Sequence, residues 1–397
     1  MKNRLGIIGA VLLFFVSCGT KDEISLGRCY PKEKDVVAIA MNALEEFYPG
    51  TRSLGFATAF IEPLFNRVGD TVAISVYSEA NGFVVLSKDL SDIILVSQSN
   101  FNNAVESGLV DNIVNSYSSV YSAPLNPGLP IPPPITGARE ERDTSITEIG
   151  PMVPVLWHQF EPFNRYATNE GQKLAGCTPV AIAQVMSYYE YPTSISLSFS
   201  GAPYSEISLN WPAMISSIGD HGNSCAECMQ KACLLRQIGK ICHANYNNGF
   251  TGAWPRSKYL NELGYSGNEY NNYDLGKITS SLDNNYPCII SAFNSEDGHT
   301  WVVDGYKREI YTTISYETGL LGEIETDRTV SLKIYLHFNY GWGDNIQAYC
   351  IALHREYGSG SHIYGGSYDY YPVSMFTPRE GYTDVQMLVT NIHPIID

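Results

Sequence analysis

Apolar positions along the chain mark out two folded regions separated by a polar, proline-rich stretch. In the first region, Val37, Ala40, Met41, Leu44 and Phe47 recur at helical spacing and share one face. Two strand-like runs follow, Thr71–Tyr77 and Gly82–Ser87, with a hairpin turn signal in Glu79-Ala80-Asn81-Gly82 between them. Ile93–Val96 reads as a third strand, and residues 103–121 read as helical. Together these predict a small α+β unit over residues 35–122.

The second region is predicted over residues 149–397. Its most apolar run follows Gly176-Cys177 and is hydrophobic on nearly every side through Met186. Such a run reads as a buried helix that begins at or just after Cys177 and ends near Tyr191-Pro192. Pro179 fits only its first turn, where a missing N–H costs nothing. A second helix is predicted from about Cys225 to Lys240. The last third reads as β-rich, with runs at 287–293, 300–306, 310–316, 329–339 and 348–353. Helices first and antiparallel strands after make this an α+β domain. The Gly- and Ser-rich residues 356–366 read as a mobile loop.

Between the two regions, residues 123–148 carry Pro124, Pro127, Pro130 and the Pro132-Pro133-Pro134 run, then the charged Arg139-Glu140-Glu141-Arg142-Asp143. This composition predicts a semi-rigid, exposed linker, where proteases cut. A chain of 397 residues is long for one domain, in keeping with two. The formal net charge of −16 argues against nucleic acid and anionic membrane surfaces as partners.

The first residues are an address. Lys2 and Arg4 precede a short apolar stretch, Leu5–Val16, too brief to span a bilayer. Ser17-Cys18 resembles a bacterial lipobox, which makes 1–17 a signal peptide, Cys18 the lipidated residue and 18–34 a tether. The Lys21-Asp22-Glu23 that follows is similar to a surface-lipoprotein export signal. An ordinary secretory peptide is the alternative. Either way the mature chain leaves the cytosol, and lipidated Cys18 is its only expected membrane contact.

Chemistry concentrates in the second region. A sulfur at a helix N-terminus sits among unpaired N–H groups and the positive end of the dipole, which favours thiolate over thiol. The bland alternative for Cys177 is a small buried hydrophobe. Downstream, Gly298-His299-Thr300 opens a strand and supplies an imidazole at a glycine-flanked edge. Asn339, at the end of another strand, is placed to accept from one ring nitrogen and fix its tautomer. Gln159 is placed to donate to an oxyanion beside the Cys177 backbone N–H. The order Gln, Cys, His, Asn, with more than a hundred residues between Cys and His, matches papain-like cysteine peptidases.

Four blocks make the resemblance specific: Trp157-His158-Gln159 with Pro162-Phe163-Asn164; Gly176-Cys177 through Ala183-Gln184-Val185-Met186 to Tyr191-Pro192; Gly298-His299 through Val303-Asp304-Gly305-Tyr306; and His337-Phe338-Asn339-Tyr340-Gly341-Trp342-Gly343. In this order and spacing the chain resembles the streptopain family of cysteine peptidases. The first region resembles that family's propeptide, most clearly in Asn81–Asp89. The resemblance implies a papain-like fold preceded by a small α+β prodomain. It implies an endopeptidase made as a zymogen, with protein or peptide substrates, no cofactor and its own N-terminal unit as intramolecular inhibitor. Carried over residue by residue, Cys177 is the nucleophile, His299 the base and acid, Gln159 the oxyanion donor and Asn339 the third residue. Tyr340 stands where the family commonly has a Trp beside the His, and a Tyr can still shield the ring edge. Trp342 fits the family's second Trp, as a packing residue.

Cys225, Cys228, Cys233 and Cys242, with His221 and His243, have irregular spacing for zinc, and no metal site is expected. In an exported chain, disulfides or buried free thiols fit them better. His337, His158 and Asp304 read as structural. Two rival functions stay open: a surface binding lipoprotein with a degenerate site, and an amidase or acyl transferase using the same Cys-His pair.

Overall fold

The computed structural model describes residues 33–396 except 50–58, 67–68, 79–81, 89, 91, 107, 122–138, 168–173, 218–224, 247–253, 294–297, 320–321, 343–345, 359–367 and 371–383. Cys18, Cys29, His221, Gly343, most of the Gly- and Ser-rich stretch and the proline-rich half of the linker therefore lie outside the described residues.

The N-terminal unit comprises α1 (Glu33–Phe47), β1 (Phe60–Phe65), β2 (Thr71–Ser78), β3 (Gly82–Ser87), β4 (Ile93–Ser97), α2 (Phe101–Glu106) and α3 (Leu109–Tyr121). The helical face expected of 37–47 is the one that packs: Ala40, Leu44 and Phe47 are buried. Residues 103–121 divide into two helices rather than one, with Gly108 at positive φ between them. β1 was not legible, because Pro63 interrupts its alternation. It pairs with β2 alone, an edge position that tolerates proline.

Then come β5 (Arg139–Ile149), α4 (Cys177–Tyr189), β6 (Ser194–Ser196), β7 (Glu206–Ser208), α5 (Trp211–Ser216), α6 (Ala226–Ile241), α7 (Ser257–Glu262), β8 (Tyr265–Tyr270) and α8 (Leu275–Asp283). The chain finishes with β9 (Cys288–Phe293), β10 (Gly298–Gly319), β11 (Gly322–Asn339), β12 (Gln347–Gly358), β13 (Tyr368–Tyr370) and β14 (Asp384–Pro394). This is a mixed α+β fold with an antiparallel sheet, as expected. Among the described residues no helix is long and apolar enough to cross a membrane.

Two segments depart from expectation. The charged half of the linker, β5, is exposed and extended but not unpaired. It runs antiparallel along β10 from Ile149 opposite Tyr306 to Arg139 opposite Tyr316. The runs at 300–306 and 310–316 are one strand, β10. The polar Lys307-Arg308-Glu309 between them looked like a break. Lys307 and Glu309 project to the same side, form a buried ion pair at 3.1 Å, and Lys307 also bonds Glu46 of α1. A paired charge can stay in a strand that a bare one would interrupt.

The sheet runs β1-β2-β3-β4-β12-β11-β10-β9-β14-β8, so both regions share it. The joint is β4 against β12, with Val96 opposite Tyr349 and Leu95 opposite Cys350. Strand alternation then divides the core. Ile289, Val302 and Val389 face α4 and α6, whereas Ile290, Trp301 and Val303 face the side covered by α8 and the N-terminal unit. On that second side Phe47 packs on Tyr335 and Tyr349, each with ring centroids 5.0 Å apart.

Candidate active site

Cys177 is the first residue of α4, as the apolar run predicts, and Thr178–Ser187 are all buried behind it. Gly176 precedes it at φ 101°, a conformation that side-chain-bearing residues rarely adopt. Pro179 lies in the first turn. The first N–H groups of a helix lack intrahelical acceptors, so the Cys177 N–H is available to a substrate oxygen.

Burial opposes the thiolate that the helix N-terminus favours. Cys177 is half-buried as a residue, and removal of its sulfur from water pushes the thiol above its ordinary value. Hydrogen bonds from the Thr300 and Thr178 backbone and hydroxyl groups oppose that shift without cancelling it. Desolvation outweighs these hydrogen bonds at the sulfur. Its partners among the described residues are Thr300 and Thr178, not the His299 ring. Thr178 Oγ1 donates to Thr300 Oγ1 at 2.9 Å, and Ser291 Oγ lies 2.7 Å from the same oxygen. This buried hydroxyl chain seats the sulfur beside the residue that follows His299.

His299 opens β10 and is buried. Its Nε2 lies 2.7 Å from the Tyr340 carbonyl oxygen. A carbonyl only accepts, so Nε2 carries the hydrogen. In the neutral ring Nδ1 then carries no hydrogen and is the basic nitrogen. The ring stacks on Trp301 at 6.0 Å and takes the Trp342 indole against it at 4.8 Å and 73°.

Two sequence-based roles shift accordingly. The group that fixes the tautomer is the Tyr340 backbone carbonyl, one residue beyond Asn339. The Asn339 side chain is committed elsewhere: its Oδ1 accepts from Gln184 at 2.8 Å and from the Gly341 N–H at 3.4 Å, and its Nδ2 donates to the Val155 carbonyl at 2.8 Å. The aromatic shield on His299 is Trp342, not Tyr340. The Tyr340 ring is buried among Trp301 and Phe338, with its hydroxyl 3.8 Å from Cys350 Sγ.

Gln159 is buried, and its carbonyl accepts from the Ala175 N–H at 2.9 Å, which ties it to the turn leading into Cys177. Its carboxamide has no hydrogen-bond partner among the described residues, so its donors are uncommitted. The loop that carries it closes around Lys231 of α6. That ammonium lies 5.5 Å over the Trp157 ring and 5.7 Å over the Phe163 ring, and it bonds the Ser217 carbonyl and hydroxyl. Burial pulls Lys231 down to about 8.

Structural readings elsewhere fit what is seen. His337 and Asp304 form a buried pair at 2.6 Å, and Asp304 also takes the Val153 N–H at 2.9 Å. The His158 ring packs on Phe163, with centroids 4.7 Å apart. Cys225 and Cys228 are joined by a disulfide, and Cys233, Cys242, Cys288 and Cys350 are buried free thiols.

Sequence reasoning missed Thr300, Gln184 and the Tyr340 carbonyl. Gln184 had a visible signal, since it is a polar residue inside an otherwise apolar helix. A backbone carbonyl has none, because every residue carries one.

Residues 157–350 match the family described as Peptidase C10 family. No curated protein matches the chain significantly. Similar solved structures include a Cys→Ala mutant fragment of Prevotella intermedia prointerpain A, with 17% identity and TM-score 0.48 over 85% of this chain and 99% of that one. Another is the active wild-type Prevotella intermedia interpain A cysteine protease, with 16% identity and TM-score 0.38 over 62% of this chain and 95% of that one.

Proposed function

We propose that Cys177 and His299 are the catalytic pair of a cysteine-type peptidase, in keeping with the match of residues 157–350 to the C10 peptidase family. The observation that carries this is the meeting of the α4 N-terminus with the start of β10, where Thr178, next to Cys177, donates to Thr300, next to His299, at 2.9 Å.

The sulfur turns from Thr300 toward the imidazole, and Nδ1 takes its proton while Nε2 stays bonded to the Tyr340 carbonyl. The thiolate attacks the scissile carbonyl carbon, and the oxygen takes the negative charge. The Gln159 carboxamide and the Cys177 N–H donate to that oxygen, each contributing on the order of 3 kcal/mol. His299 Nδ1–H then protonates the leaving amine. Water, deprotonated by the same nitrogen, hydrolyses the acyl-enzyme and restores the thiol.

The N-terminal unit is proposed as the intramolecular inhibitor and folding partner, and cutting within 123–148 as the activating step. β5 is paired over its length with β10, which favours a cut ahead of Arg139. Export and attachment through lipidated Cys18 complete the proposal, with protein or peptide substrates in the cell envelope or outside the cell.

The test is the release of new peptide N-termini from an unfolded protein substrate. Cleavage by the wild type that disappears in Cys177→Ala and His299→Ala supports the assignment, and cleavage that survives either substitution overturns it. The zymogen claim predicts faster cleavage after the linker is cut. Equal rates before and after would remove it.

A further inference from the structure

We propose that Gln184 is a positioning residue that holds the oxyanion glutamine and the catalytic imidazole in register with Cys177 through a single carboxamide; this rests on the roles proposed above for Gln159 and His299. Gln184 lies about two helical turns from Cys177, on the same side of α4. It is fully buried. Its Nε2 donates to the Trp157 carbonyl at 3.1 Å and to Asn339 Oδ1 at 2.8 Å. A carboxamide nitrogen carries two hydrogens, so both are used.

The partners fix the orientation of each amide. The Trp157 carbonyl only accepts, so the nitrogen of Gln184 must face it. Asn339 must present Nδ2 to the Val155 carbonyl, so its Oδ1 must face Gln184 and the Gly341 N–H. Exchanging nitrogen and oxygen in either side chain would oppose like groups.

Each arm of this node ends on a different part of the site. Trp157 is two residues before Gln159. Asn339 adjoins Tyr340, whose carbonyl holds His299 Nε2. Gly341 shows how closely the turn is drawn onto α4: its φ is +59°, and a Cβ there would lie 2.8 Å from Val180 Cγ1. Thus the Cys helix, the Gln159 loop and the His299 acceptor meet at one side chain.

The energetics favour a geometric role over a stabilising one. Gln184 Oε1 is buried with no hydrogen-bond partner among the described residues. An apolar residue of the same length would fill this space without that penalty. What the amide network supplies instead is register between three segments.

The test uses the full chain, intact or nicked, in whichever form turns over an unfolded substrate. Gln184→Met keeps length and volume and removes both donors. It is expected to lower kcat about tenfold or more, to leave KM within about twofold, and to displace the acid limb of the kcat–pH profile. Asn339→Asp keeps the acceptor for Gln184 and loses the donor to Val155, so a smaller fall in kcat is expected. It serves as the test if Gln184→Met does not fold. A folded Gln184→Met or Asn339→Asp protein with wild-type kcat and pH profile overturns the proposal. Cys177→Ala run in parallel keeps the two claims apart. Turnover that persists in that variant sinks the proposed active site itself, whereas loss there beside wild-type kcat in the other two sinks only Gln184.

Discussion

The β-half of this peptidase meets its two neighbours in different ways. Toward the N-terminal unit the joint is a shared sheet and a shared apolar core, with β4 hydrogen-bonded to β12 and Phe47 wedged between Tyr335 and Tyr349. Toward the helical half, at the site, the joint is a polar seam: Thr178 on Thr300, Gln184 on Asn339, and His299 on the Tyr340 carbonyl within its own sheet. Apolar contact is strong and tolerant of small shifts. Hydrogen bonds between buried amides and hydroxyls are weak in net energy but exacting in geometry. The chemistry lies along the seam that fixes geometry, and the binding strength lies along the other.

The largest effect on this contrast is expected at Asp92, which belongs to the N-terminal unit but pairs across the joint with Lys333 at 2.7 Å and His354 at 3.2 Å. Burial raises its carboxyl, and the hydrogen bonds and charges of His354 and Lys333 outweigh that and hold it far below its ordinary value. Asp92→Asn leaves Lys333 without its counter-charge and is expected to cost about 3 kcal/mol in chemical denaturation. Because the folded carboxyl is depressed, its contribution is complete above the ordinary carboxylate range. It declines as pH falls below about 4. The wild-type advantage over Asp92→Asn should therefore shrink in acid and stay level from pH 5 to 7.

A smaller effect is expected at the seam. Thr300→Val keeps the shape but removes the hydrogen bonds that the Thr178 and Ser291 hydroxyls make to Thr300, which costs about 1–2 kcal/mol. It also removes a hydrogen bond that opposes the rise of the Cys177 thiol. Alkylation of Cys177 at fixed pH should then slow severalfold, as followed by mass spectrometry. An unchanged rate would detach Thr300 from the sulfur.

The smallest expected effect is a slope. Lys231 is held at about 8 in the fold, below its ordinary 10.5, so the unfolded chain binds more protons between these values. Its burial penalty is present below pH 8 and relieved as pH rises toward 10.5. The stability of wild type relative to Lys231→Met should rise across that window. A flat difference would mean that the ammonium is already solvated in the folded protein.

The seam was only partly legible in the sequence, for physical reasons that differ by residue. Cys177 stood out because a nearly all-apolar run must be a buried helix, and a cysteine at its head is conspicuous. His299 was found because it opens a strand beside a glycine. Asn339 was singled out for this region, and its side chain turns to Gln184 and Val155, a choice made by tertiary contacts that spacing does not encode. The same limit applies to Lys307 and Glu309. Read along the chain they are a polar break, and Glu46, the α1 residue that Lys307 also bonds, lies 261 residues away from it. The upward pull of burial on the Cys177 thiol was hidden too, since the helix terminus is visible in sequence and the depth of burial is not.

The central claim is that sulfur and imidazole act together across the seam, and a peptidyl epoxide tests it most directly. Intact-mass and peptide analysis of the treated protein should find one adduct, on Cys177, whose formation is lost in His299→Ala at the same pH. An adduct that forms equally fast in His299→Ala, or on another cysteine, would contradict the account.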